Sequence, residues 1–301
     1  MMRRFGTTGV EVSVVGIGGW QMGGPDTPDG IGYGWGDVDD ERSVRIIHRA
    51  EELGVNLIDT ADVYGNGHSE AIISRALAGR RNRWVIASKG GRVKNPEKRG
   101  EYKDYSATHI REACEASLQR LGTDYLDFYQ LHGDPAEDLV ADTMTELAIL
   151  QDEGKIRFYG ISTSKAETIQ RLLSYGPLQV CQIGYNLLKR EQAALDYCAE
   201  RGIGTLIRTP LAHGAAFGRY ATERPPKFEF GDLRSTRDPE ALAEEHAGGL
   251  SFFFCGKIQA GRRHRRHCAS CWTNPASRPS YPGRKRWSIW RTVSAPLMSP
   301  R

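Results

Sequence analysis

Long apolar runs are missing from these 301 residues: none approaches the roughly 20 that a membrane-spanning helix requires. Nor does an apolar signal-peptide core follow Met1-Met2-Arg3-Arg4, so a cytoplasmic location is the expectation. Cysteine is sparse and scattered, as Cys114, Cys181, Cys198, Cys255, Cys268 and Cys271. That pattern excludes the even disulfide framework of small secreted domains and favours reduced thiols. A phosphate-binding Gly-x-Gly-x-x-Gly turn is also absent, because Gly16-Ile17-Gly18-Gly19 has the wrong spacing, and this argues against a dinucleotide-binding open sheet. Finally, Asp and Glu are absent from Ala247 to Arg301, where eleven Lys or Arg stand. The remaining chain has 30 basic against 37 acidic residues, so the net charge of +4 conceals an acidic body with a basic tail.

What is present is alternation. A short polar N-terminal hairpin leads into a strand candidate at Val12–Trp20, and a helical pattern follows from Asp40 to Leu53. Further strand candidates are Val55–Asp59, Trp84–Lys89, Leu126–His132, Phe158–Ser162, Val180–Gly184 and Thr205–Arg208. Between them lie helix candidates at Ser69–Ala78, Ala107–Leu121, Ala136–Glu153, Lys165–Ser174 and Arg190–Arg201. Strands alternating with helices at this spacing predict a parallel sheet, and near-continuous apolar strands are those of a sheet covered on both faces. Seven such units are one short of a closed (β/α)8 barrel, the expected α/β fold being a TIM barrel incomplete at its eighth unit.

Past Leu250 the periodicity stops. Residues 257–301 carry Arg, His, Cys, Trp, Ser and Pro with neither helical nor strand period. The segment reads as the product of a shifted frame. Codons chosen freely for Lys257 through Asn274, translated from the third base of each, can yield Asp-Pro-Gly-Arg-Thr-Pro-Ala-Gln-Ala-Ala-Leu-Arg-Phe-Val-Leu-Asp-Gln, which has the amphipathic period that the visible string lacks. Phe252-Phe253-Phe254 marks a T-rich tract where slippage could occur. The expected division is therefore a barrel over 1–249 and an atypical basic, disordered or non-native tail over 250–301. His264, His267, Cys268 and Cys271 are spaced loosely like a zinc site but lack the apolar and turn pattern of a zinc-stapled module, so no metal is expected. Arg262-Arg263-His264-Arg265-Arg266 could attract nucleic acid, yet arginine is also what a GC-rich gene yields out of frame, and no specific nucleic-acid partner is expected.

The chemistry is carried by four strand ends. Asp59 and Tyr64 stand five residues apart where an apolar strand breaks into a loop, Lys89 closes the next apolar run, and His132 closes the one after. On one rim of a barrel such ends converge on a single pocket. A phenol has an ordinary pKa of about 10, so Tyr64 as a proton donor near neutrality calls for a cation that lowers it, and Lys89 can be that cation. Lys89 in turn needs a carboxylate such as Asp59 to stay charged when buried. His132 could hydrogen-bond a substrate carbonyl and steady the developing alkoxide. Any one of these residues alone would be an ordinary solvated cap; four on consecutive strands at one rim are a much rarer accident.

Asp59-Thr60-Ala61-x-x-Tyr64-Gly65, the strand ending in Ser88-Lys89, and Leu131-His132 resemble the tetrad motifs of the aldo-keto reductases, NADPH-dependent barrel enzymes that reduce carbonyls. Gly160-Ile161-Ser162, Gln182-x-x-Tyr185-Asn186 and Pro210-Leu211-Ala212-x-Gly214 match in order, so that the resemblance covers about residues 4–220. It implies Tyr64 as general acid, Lys89 and Asp59 as the pair that tunes it, and His132 as orienter of a small-molecule carbonyl substrate. For the cofactor, NADPH or NADP+, it implies Ser162 and Gln182 at the nicotinamide carboxamide. Thr163, where many members place Asn, Arg208, where many place a Tyr against the ring, and Pro210, Leu211 and Gly214 are further implied cofactor contacts. Trp20 would line the substrate side, although core packing explains such a residue equally well. The family's grip on the adenosine 2′-phosphate falls in the altered end. There Ser280-Tyr281-Pro282-Gly283 keeps only a Pro-Gly pair, and no role passes to Arg284 or Lys285. Two alternatives stand beside the reductase: a catalytically impaired relative with a frameshifted end, and a cofactor-binding module without turnover.

Overall fold

The computed structural model describes residues 1–25, 34–94, 101–217, 228, 232–236, 238 and 289–291. Strands β1 (Met2–Arg4) and β2 (Glu11–Ser13) form an antiparallel hairpin. The chain then alternates through β3 (Val15–Gly18), α1 (Asp40–Glu52), β4 (Leu57–Asp59), α2 (His68–Ala76) and β5 (Val85–Gly90). A second hairpin, β6 (Arg92–Lys94) and β7 (Glu101–Lys103), interrupts before α3 (Ala107–Leu121). Alternation resumes with β8 (Leu126–Leu131), α4 (Val140–Asp152), β9 (Ile156–Ser162), α5 (Ala166–Leu173), β10 (Val180–Gly184), α6 (Gln192–Glu200) and β11 (Gly204–Arg208). The last strand is β12 (Ile289–Arg291).

Seven strands, β3, β4, β5, β8, β9, β10 and β11, pair in parallel in that order and form a curled sheet, an incomplete (β/α)8 barrel. Where an eighth parallel strand would stand, β12 pairs antiparallel on β3, with Trp290 opposite Gly16. Among the described residues β11 and β12 do not pair, so the sheet stays open at that seam. Of the tail singled out by sequence, Phe252-Phe253-Phe254, the His264–Cys271 cluster, the Arg262–Arg266 run and Ser280–Arg286 all lie outside the described residues.

Local chemistry sets the element ends. The Asp39 side chain accepts a hydrogen bond from the Arg42 amide to cap α1, and Ser106 does the same for the His109 amide at α3. Gly122, in the left-handed conformation, stops α3 where the sequence predicted. The expected strand Val12–Trp20 divides, because the chain must leave the hairpin before it joins the parallel sheet. Ser13 and Asn56 fix this bend, the Ser13 amide donating to Asn56 Oδ1 at 2.7 Å. The expected helix at Ala136 begins as a 3-10 turn over Glu137–Leu139, with the α-helix starting at Val140.

Period-2 alternation decides what faces the barrel interior. Leu57, Ala87, Phe128, Val180 and Leu206 fill it, and Phe5 from the β1–β2 connection plugs the end away from the strand C-termini, its ring stacked 4.5 Å from Phe128. The opposite faces pack on the helices through residues such as Ile47, Ile73, Ile110, Leu147 and Ile169, all buried. Each such fully buried side chain contributes roughly 1.5–3 kcal/mol relative to an exposed one. Among the described residues no helix is long and apolar enough to cross a membrane.

Candidate functional site

Two residues beyond each apolar interior position, the same inward face carries a polar group: Asp59 after Leu57, Lys89 after Ala87, Gln182 after Val180 and Arg208 after Leu206. In β8 the step from Phe128 passes Gln130 and reaches His132. The strand period therefore delivers one ring of polar side chains to the C-terminal rim, above an apolar plug. They surround a cavity of about 250 Å³ lined by Trp20, Asp59, Tyr64, His132, Ser162, Gln182 and Arg208, among others.

Lys89 lies fully buried beneath this floor. Its ammonium donates to Asp59 at 3.0 Å, to the Thr60 carbonyl at 2.7 Å and to the Tyr64 hydroxyl at 3.2 Å, and stands 4.9 Å from the Tyr64 ring centroid. Burial alone would pull its pKa down, but Asp59 and then Tyr64 outweigh this and hold it above the ordinary lysine value, so the ammonium is charged. Tyr64 departs from the sequence-based expectation. The cation is in place, yet burial outweighs it and leaves the phenol above its ordinary pKa. Near neutrality Tyr64 is therefore a protonated hydroxyl, with a cation placed to favour the anion left when the proton departs. His132 is held well below the ordinary histidine value, by burial first and then by Lys89, Arg92, Arg208 and Lys94. It is neutral near pH 7, with one N–H to donate and a buried Nδ1 that has no hydrogen-bond partner.

A hydrogen-bond chain joins the far side of the rim to the ion pair. The Ser162 hydroxyl donates to Gln182 Oε1 at 3.1 Å, and Gln182 Nε2 donates to Asp59 Oδ1 at 2.8 Å. Both side chains are nearly buried yet line the cavity, and Ser162 Oγ and Gln182 Oε1 each retain lone pairs toward it. Two such acceptors suit the NH2 of a planar amide such as a nicotinamide carboxamide. Thr163 is turned into the following loop, where its hydroxyl accepts from the Lys165 amide. Pro210, Leu211 and Gly214 stand outside the cavity's lining, next to Thr209 and His213, which are part of it. Among the described residues no group of side chains could hold a metal ion.

Gly65 fixes the loop that carries Tyr64. Its φ is +61°, and a Cβ there would run into the Gly23 carbonyl, so the approach of these two segments depends on glycine. Trp20 is half-buried, stacks on Tyr64 at 5.9 Å and forms one cavity wall. Sequence reasoning missed Trp35, His213, Arg92 and Glu101. Trp35 meets Trp20 edge-on at 5.4 Å and stacks on His213 at 6.3 Å, extending the aromatic wall. Arg92 and Glu101 also line the cavity. Arg92 follows Lys89 by three residues, across the bend at Gly91, so the strand period that found the other residues does not reach it.

A family model described as the aldo/keto reductase family matches residues 14–250, ending where the sequence periodicity stops. The chain is 35% identical over 237 residues to an NADH-specific methylglyoxal reductase of Escherichia coli, covering 74% of this chain and 71% of that protein. Among solved structures, it is similar to the glycerol dehydrogenase AKR11B4 of Gluconobacter oxydans, with a TM-score of 0.70, 32% identity, and 85% and 78% of the two chains covered. It is also similar to the holo form of the aldo-keto reductase AKR11C1 from Bacillus halodurans, with a TM-score of 0.64, 33% identity and coverages of 76% and 71%.

Proposed function

Because the chain belongs to the aldo/keto reductase family, a family of oxidoreductases, we propose that it reduces an aldehyde or ketone to the alcohol with NADPH, using Tyr64 as the proton donor. The observation that carries this reading is the contact of a buried, charged Lys89 with both Asp59 and the Tyr64 hydroxyl at the cavity floor. When bound, the reduced nicotinamide supplies a hydride to the carbonyl carbon. Ser162 and Gln182 would hold its carboxamide, and the Arg208 guanidinium, which can stack on a planar ring, would meet its ring.

The protein's own residues then move one proton. The Tyr64 O–H and a His132 N–H donate to the substrate's carbonyl oxygen, polarising it. As that oxygen gains negative charge, the proton passes from the Tyr64 oxygen to it, and the charge moves to the phenolate, where Lys89 stabilises it. Solvent returns the proton afterwards. Asp59 keeps Lys89 charged, and Trp20 bounds the substrate side. The tetrad assignment is tested by Tyr64→Phe, which should abolish carbonyl turnover, followed by absorbance of the reduced nicotinamide, while leaving cofactor affinity nearly unchanged. Retained turnover would refute it. Parallel titrations with NADPH and NADH test the cofactor choice, for which the NADH-specific relative is the counter-example. The buried free thiols Cys114, Cys181 and Cys198 suit the reducing cytoplasm proposed as its location.

A second reading is favoured by two coincident observations: the family match ends at residue 250, and the described part of the tail enters the sheet antiparallel. In this reading residues 1–249 are the native barrel and 250–301 a frameshifted end, so that cofactor is held weakly and turnover is impaired. Resequencing the gene through the codons of Phe252-Phe253-Phe254 separates the two, an unaltered frame removing the second.

A further inference from the structure

The β6–β7 hairpin brings to the cavity two charged residues that the proposed reaction leaves without a task. Arg92 and Glu101 face one another across it at 3.0 Å and both line the cavity beside His132. Arg92 also donates from Nε to the His132 carbonyl oxygen at 2.8 Å, which ties its guanidinium next to the group that would orient the substrate. Lys94 shares the same carboxylate, 3.0 Å from the other Glu101 oxygen. Two acids of the rim are engaged by other cations. Asp134 pairs with Lys165 at 2.8 Å, and Asp59 with Lys89 at 2.9 Å. Arg208 is a second cation of the lining. Among the described residues the lining carries Arg92 and Arg208 against Asp59 and Glu101, and Lys89 beneath the floor answers Asp59, which leaves one positive charge in excess. A net charge in a cleft raises the local concentration of ligands of the other sign.

We propose that the β6–β7 hairpin selects carbonyl substrates carrying an anionic substituent, a carboxylate or phosphate a few bonds from the carbonyl, and that Arg92 is the residue that reads it. The inference rests on carbonyl reduction at Tyr64 and names the substrate class for that site. Arg92 suits the task because a guanidinium pairs in-plane with either anion. Glu101 opposes it, as a carboxylate in the same wall that repels the incoming anion and competes for the guanidinium.

The test compares kcat/KM for pentanal with that for 5-oxopentanoate, and for glycolaldehyde with glycolaldehyde phosphate, in the wild type and in Arg92→Met, Glu101→Gln and Lys94→Gln. The wild type should favour the anionic member of a pair, and the pair that shows it identifies carboxylate or phosphate as the anion. Arg92→Met should cut the preference roughly tenfold, Lys94→Gln less, and Glu101→Gln should raise it. Loss of the Arg92 bond to the His132 carbonyl slows both members alike and cancels in the ratio. A wild type that reduces neutral aldehydes without preferring either anion, or an Arg92→Met enzyme that keeps the preference, overturns this proposal alone. A wild type that reduces none of the four overturns carbonyl reduction and this proposal with it.

Discussion

Lys89→Met removes one ammonium from a site with little solvent to replace it, and the consequences for stability and for turnover separate cleanly. In the folded protein the substitution leaves Asp59 without its cation and the Thr60 carbonyl without a donor. Removing one partner of a buried ion pair costs about 3–5 kcal/mol. Asp59, however, is 24% exposed and keeps the Gln182 N–H at 2.8 Å, which brings the expected loss to about 2–3 kcal/mol. For turnover the relevant distance is the 3.2 Å between the ammonium and the Tyr64 oxygen, where negative charge appears as the proton leaves. At an effective dielectric constant of about 20, unit charges at that separation attract by about 5 kcal/mol. Retaining most of that figure predicts a fall in kcat of roughly a thousandfold or more. Melting curves and steady-state oxidation of the reduced cofactor measure the two effects. A second substitution decides the argument: Lys89→Met with Asp59→Asn should recover most of the lost stability, because neither partner is then left charged and alone, while turnover stays lost. Recovery of turnover in that double variant, or a single variant within tenfold of the wild type, would show that the ammonium does not act on the phenol.

The remaining predictions concern titration. His132 is held well below its ordinary 6.5, so it stays neutral as pH falls through that value, and kcat for a neutral aldehyde should show no histidine inflection there. An inflection near 6.5 that disappears in His132→Gln would contradict this. Asp62 is pushed up to about 8, by burial first and the Glu70 carboxylate second. Its folded pKa thus exceeds the unfolded value of about 3.9, and the folded state binds a proton that the unfolded state has released, so stability falls as pH rises between those two values. Asp62→Asn keeps the 2.7 Å acceptor for the Val63 amide but cannot titrate, and its melting temperature should exceed the wild type's by a margin that widens from about pH 5 to about pH 8. A margin independent of pH would show that Asp62 ionises normally.

The sequence could be read wherever a local rule and the tertiary structure agree. Strand β10 begins at Val180 and ends at Gly184 as its apolar run does, and α3 runs from the residue after its Ser106 cap to the residue before Gly122. Lys89 and His132 were legible for the same reason, since each ends an apolar strand on the inward parity. Hairpin β6–β7 was not, because three-residue polar strands carry no period and the pairing of Arg92 with Lys103 is set by a connection rather than by composition. Trp35 and His213 meet across 178 positions of chain, a contact that no window of sequence contains. The direction of the Tyr64 shift was illegible too: residue identities supplied the opposing cation, but only burial in the folded barrel decides which influence is larger.

The open seam and the polar rim are separated by a definite number of strands in the sheet. β4, β5 and β8, which present Asp59, Lys89 and His132, each have parallel neighbours on both sides, so their register does not depend on the tail. β11 has one such neighbour, β10, with Arg208 opposite Gly184 at the end of that ladder. A disturbance at the open seam therefore reaches Arg208 first and Gln182, one strand further in, second. Gln182 is also the residue that bonds Asp59 across the mouth at 2.8 Å, so the cofactor side of the rim is tied to the ion pair by a single amide. Fraying of the β11 edge consequently weakens the nicotinamide grip proposed for Gln182 and Arg208 before it touches the Lys89–Tyr64 contact. A raised KM for cofactor with kcat preserved at saturation is the signature of damage confined to the seam, whereas a tail that disrupted the whole barrel would remove both together.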